Sequence, residues 1–158
     1  MDFSLFLTGM LILAFIILPV FFFRRAQKKK REKLLNHFIE LAKKHQAKVT
    51  ESDIWNSNNC IGIDYASGKL FSLRITEEQE STTLIDLNEV DKCSVTPMNK
   101  RGRDNSTERL DIIFKFKNSS LTDKTINFYN VNDSSIITDE LKLAEKWANK
   151  VNGYLQKK

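Results

Sequence analysis

The sequence predicts an α+β chain: an N-terminal transmembrane helix, then about seven mostly antiparallel strands in a bent sheet or partial barrel, capped by a C-terminal amphipathic helix. Three observations carry this reading. Phe3 to Phe23 form an uncharged apolar run that stops at a dense basic block. From about residue 47 the hydrophobic period changes from helical to alternating. After Thr138, apolar residues again recur at steps of three and four.

The first run has only Ser4 and Thr8 as hydroxyls, both able to return hydrogen bonds to their own helix carbonyls. At about 1.5 Å per residue it reaches roughly 31 Å, the thickness of a hydrocarbon core. A buried soluble helix seldom runs five turns without a polar face, so the expectation is an anchor over 1–23. A cleaved signal peptide is disfavoured: only Asp2 precedes the run, and Phe21-Phe22-Phe23-Arg24-Arg25 follows where small residues belong. Arg24, Arg25, Lys28, Lys29, Lys30, Arg31 and Lys33 then place the short N-terminus outside and the rest in the cytoplasm. The expected location is therefore the cell membrane, as a single-pass, signal-anchored protein.

Charge is unevenly distributed. Residues 1–45 hold nine Lys and Arg against three Asp and Glu, net +6, and the remainder is net -1, within a total of +5. Basicity is thus local to 24–33. It suits anionic lipid head groups, at about 1 kcal/mol per cation near a bilayer surface, better than nucleic acid. The seven basic residues are the expected membrane contact, and a lipid bilayer with a protein partner at its surface are the expected partners.

Leu34, Leu35, Phe38, Ile39, Leu41 and Ala42 recur at helical spacing, making 24–46 a basic amphipathic helix. It can continue the first helix, lie on a membrane or dock on the folded domain. Docking is preferred, because the cations cluster at its start rather than along its polar face. His37 and His45 have no ligand-spaced Cys or carboxylate and are read as exposed or half-packed.

Gln46 to Glu51 is a weak strand candidate. Cys60 to Tyr65 and Leu70 to Ile75 form the clearest hairpin, turned by Ala66-Ser67-Gly68-Lys69. Thr82 to Asp86 and Lys92 to Thr96 follow, with Pro97 ending the second. Met98 to Glu108 reads as a loop. Arg109 to Lys117 alternates best, and Lys124 to Val131 points Ile126 and Phe128 inward. The last helix starts at Thr138 as N-cap and buries Leu141, Ala144, Trp147, Ala148, Val151 and Leu155.

Strands over Cys60 to Ile75, Thr82 to Thr96 and Arg109 to Val131, finished by a helix carrying Ala144-Glu145-Lys146-Trp147, resemble the bacterial pleckstrin-homology-like (PH-like) fold in element order across 47–158. Lipocalin-like and cystatin-like arrangements are the alternatives. The resemblance implies a cytoplasmic binding domain whose C-terminal helix plugs a bent sheet. Lipid-binding members carry basic residues between their first two strands. Here Ser52 to Asn59 has no Lys or Arg, so phosphoinositide-type binding does not carry over.

No Gly-rich phosphate loop, paired-Cys motif or Gly-x-Ser-x-Gly elbow is present. No catalytic, cofactor-binding or metal-ligating residue is assigned, no small-molecule substrate is inferred, and the chain is read as a non-enzyme. Cys60 and Cys93 are read as buried thiols. Lys100, Arg101, Arg103 and Arg109 form a second basic patch, a candidate contact for a partner or head group. The expected function is a membrane-anchored binding or adaptor module. The alternative is a structural accessory subunit that uses its first helix as the interface.

Overall fold

A computed structural model describes residues 3–76, 78–99, 107–132 and 138–157. They form two helices and seven antiparallel strands in two sheets, an α+β arrangement. Helix α1 (Phe3–Lys44) leads into β1 (Glu51–Trp55), β2 (Asn59–Asp64), β3 (Lys69–Ile75) and β4 (Glu80–Asp86). A second set follows: β5 (Val90–Asn99), β6 (Thr107–Phe116) and β7 (Lys124–Asn130), then helix α2 (Glu140–Gln156). Each sheet is a meander, ordered β1-β2-β3-β4 and β5-β6-β7.

The expected transmembrane helix is not upheld. Among the described residues no helix is long and apolar enough to cross a membrane. The apolar run passes directly into Arg24 and Arg25 of the same helix. The single-pass, signal-anchor and cell-membrane assignments, with their outside N-terminus, are corrected on this ground. Helix α1 is continuous across residue 23 for 42 residues and carries Pro19 within it.

The single bent sheet is likewise replaced by two. Their shared core holds Ile61, Ile63, Leu70 and Ile85 from one sheet, Leu110, Ile112, Phe114 and Phe128 from the other, and Ala144, Trp147 and Val151 from α2. Trp55 fastens β1 to β7: its ring stacks on Phe128 with centroids 4.5 Å apart, and its Nε1 donates to the Phe128 carbonyl at 2.9 Å. Asn152 on α2 fastens the helix to β5, accepting from Cys93 N at 3.1 Å and donating to Cys93 O at 2.9 Å. That pair satisfies backbone groups at the outer edge of β5 which would otherwise be open.

A second apolar layer lies on the outer face of the first sheet. Leu34, Phe38 and Ala42 of α1 pack with Ala47, Cys60, Phe71 and Leu73. Gly62 permits this approach, because a Cβ there would lie 2.9 Å from Phe38 Cε1 and 2.7 Å from Val49 Cγ1. The last three turns of α1, from Leu34, are therefore docked, and before them every described side chain is exposed.

Several local expectations shift. The first strand is β1 rather than Gln46 to Glu51, so most of the supposed loop Ser52 to Asn59 is strand, and the turn is Asn56–Asn58 with positive φ at Asn56 and Ser57. Strand β5 runs through Pro97 to Asn99, since an edge strand tolerates a missing N–H on its open side. The α2 N-cap is Asp139, which makes no side-chain capping bond. Thr138 instead donates its N–H and hydroxyl to the Glu140 carboxylate at 2.7 and 3.1 Å.

Candidate functional site

The projecting half of α1 is the most unusual surface of the molecule. Phe15 is 84% exposed and Phe21, Phe22 and Phe23 are 59–66% exposed, with Ile17, Leu18 and Val20 above half. At about 100° per residue these positions cover the whole circumference of the helix rather than one stripe. An apolar surface of this kind marks an interaction element.

Immediately after it, all seven predicted basic residues from Arg24 to Lys33 are exposed on one helix. The structure divides them by face. Arg24, Lys28 and Arg31 turn toward the domain and, with Phe23, Gln27, Glu32 and Leu35, roof a groove of about 580 Å³ whose floor is Ser52, Asp53 and Ile54 of β1. Arg25, Lys29, Lys30 and Lys33 do not line it. Lys28 approaches Glu32 at 4.0 Å, while no carboxylate among the described residues pairs with Arg24 or Arg31.

The floor strand is held from the other side by α2. Lys146 Nζ lies 2.7 Å from Asp53 Oδ2, Trp147 Nε1 donates to the same oxygen at 3.0 Å, and Lys150 Nζ pairs with Glu51. The Lys150 hydrogen bond holds the Glu51 carboxyl below its ordinary range against the opposing effect of burial, with help from the Tyr65 hydroxyl. Strand β1 therefore alternates cleanly. Glu51, Asp53 and Trp55 serve α2 and the core, while Ile54 packs under α1.

Of the second predicted patch only Arg109 is described, and it does not line this groove. Arg109 sits on β6, where its Nε meets the buried Asp111 carboxylate at 2.6 Å, and Asn127 Nδ2 donates to the other oxygen at 2.8 Å. Lys100, Arg101 and Arg103 lie outside the described residues. A second cleft of about 930 Å³ is lined by amides, among them Asn56, Asn59, Asn127 and Asn130. Its Arg74 already donates to Asn127 Oδ1, so this cleft presents its cation engaged.

Chemistry elsewhere is quiet. Cys60 and Cys93 are separate free thiols, each pushed up to about 12 by burial and thus protonated at neutral pH. Among the described residues no group of three or more His, Cys, Asp or Glu is placed to hold a metal. His37, read from sequence without a carboxylate partner, has one: its Nε2 lies 2.9 Å from Glu80 Oε2, joining α1 to β4 across 43 residues. Sequence reading also missed Asp53 and Ile54, whose roles depend on contacts to helices at either end of the chain. No family model, curated protein or solved structure matches the chain.

Proposed function

We propose that the chain is a non-enzymatic binding module: a PH-like domain that docks on a protein partner through its projecting N-terminal helix. The observation that carries this reading is the contrast within α1. Leu34, Phe38 and Ala42 are buried on the sheet, whereas Phe15 and Ile17–Phe23 are exposed on every side of the same helix. Exposed aromatic side chains in such number favour a partner that covers them, and Phe residues are effective anchors because they bury large area at little conformational cost. The order of seven strands and a closing helix supports the PH-like comparison, and the basic groove beside the arm supports a second point of attachment.

The test is site-specific photocrosslinking of the full chain in its own cells, with the reactive group at Phe22 and a control at Ser81 on the β4 edge. The expected result is one dominant protein adduct from position 22 and none from position 81. Adducts to phospholipid alone, or no adduct, contradict the reading. A structural accessory subunit of a larger assembly is the second reading, favoured by the same all-round exposure, since a helix apolar on every side suits several neighbours at once. It predicts adducts to two or more chains from positions 18, 21 and 22.

A further inference from the structure

The groove between α1 and β1 has the shape of a missing strand. Strand β1 is the outermost of its sheet and pairs only with β2. About half of its backbone N–H and C=O groups point away from the sheet, a row ready to pair with another extended chain. Above that edge α1 overhangs as a roof, because its docked turns rest on β2 and β3 while the preceding turns pass over Ile54 and Ser52. A fifth strand placed about 4.8 Å beyond β1 runs beneath that roof.

Cations outnumber carboxylates along the groove, where Arg24, Lys28 and Arg31 stand against Glu32, which lies 4.0 Å from Lys28, and Asp53. Arg24, Lys28 and Arg31 recur at four and three residues, hence on one helix face, and look down into it. Asp53 on the floor is already neutralised by Lys146. Phe23, Leu35 and Ile54 supply an apolar lining between the cations. We infer that the α1–β1 groove takes an extended acidic segment of a protein partner, added to β1 as a fifth strand with its carboxylates against Arg24, Lys28 and Arg31 and its alternate apolar residues against Phe23, Leu35 and Ile54. The main chain gives the affinity and the basic roof gives the choice of sequence. Of the other edge strands, β5 is closed at Cys93 by Asn152.

This deepens the binding-module reading by naming the chemistry of the partner, and its test does not depend on what the arm binds. A labelled synthetic peptide of about ten residues alternating Glu and Val is titrated into the full chain, with a Lys-Val peptide of equal length as control. The expected result is saturable binding of the acidic peptide alone, with slowed amide hydrogen exchange confined to Ser52–Ile54 and α1. Arg24→Glu with Arg31→Glu weakens it by about tenfold or more, whereas Lys29→Glu with Lys33→Glu, an equal charge change on the other helix face, weakens it by less than about threefold. Equal loss in the two variants, equal binding of the Lys-Val peptide, or binding that leaves β1 exchange unchanged overturns the proposal. So does slowed β1 exchange that grows with protein concentration in the absence of peptide, which assigns the edge to a second copy. Binding only to phosphatidylserine vesicles overturns it as well. A failed titration with a retained Phe22 adduct removes this inference alone, and the reverse pattern removes the arm reading alone.

Discussion

Trp147 Nε1 donates to Asp53 Oδ2 at 3.0 Å, so the largest fully buried side chain of α2 is hydrogen-bonded to an edge strand 94 residues earlier in the chain. The indole body fills the core and its single polar atom leaves it at β1, where Lys146 shares the same carboxylate. The closing helix thus fixes the strand that floors the candidate groove.

Replacing Trp147 separates these two contributions. Trp147→Ala is expected to cost about 3–5 kcal/mol in chemical denaturation, from lost burial and the cavity left behind. Asp53→Asn keeps an acceptor for the indole but loses charge, and is expected to cost about 1 kcal/mol. A change below about 0.5 kcal/mol for the alanine variant would show that α2 does not close the core through this face.

Gly62 makes a sharper prediction about α1. An added methyl meets Phe38, Val49 and the Glu51 carbonyl at 2.7–3.1 Å, and the last is backbone that cannot rotate away. Gly62→Ala is expected to destabilise the domain by about 1–3 kcal/mol. Hydrogen exchange should quicken in Leu34–Ala42 before it does in α2. Uniform quickening would mean that helix docking is not the element disturbed.

Asp64 should contribute to acid sensitivity alongside Glu51 and Glu140, whose carboxyls are also held low. Burial raises the Asp64 carboxyl pKa, but hydrogen bonds from the Ser67 hydroxyl and from the backbone N–H groups of Lys48, Ser67 and Ala66 outweigh burial and lower it overall. Because the folded value lies below the unfolded one, the stabilisation is present above the ordinary value near about 4 and is lost as pH falls through the folded value. Asp64→Asn should therefore cost about 1–3 kcal/mol at pH 7 and flatten the fall in stability as pH drops below about 4. An unchanged acid slope would place the titrating groups elsewhere.

Much of the strand order was legible because local residues decide it. The β2–β3 hairpin is marked by Gly68 at φ 68° and by apolar residues on both sides of the turn. Its faces were harder. Ile61, Ile63 and Leu70 look into the shared core, while Cys60, Phe71 and Leu73 lie under α1, so both faces are apolar and alternation does not tell inside from outside. Strand β1 was misplaced because the strand candidate ended at Glu51 and Ser52 and Asp53 read as loop. Their polarity belongs to an edge strand whose carboxylates meet Lys146 and Lys150 more than ninety residues away. The groove was invisible for the same reason. Its basic face is plain in the run from Arg24 to Arg31, but its floor depends on where β1 falls. The apolar run invited a membrane reading from hydropathy alone, and the described helix does not sustain it.

The central claim is that the projecting half of α1 is a docking element with no part in the fold of the domain. The most direct measurement compares the full chain with its Phe21→Ser, Phe22→Ser, Phe23→Ser variant, reading the denaturation midpoint and the yield of the partner adduct formed from position 18. These side chains are exposed, so the midpoint should shift by no more than exposed sites allow, about 0.5 kcal/mol per substitution. The adduct should fall by about tenfold or more, as expected when several interface anchors are removed together. Full retention of the adduct, or its loss accompanied by collapse of the fold, would contradict the account.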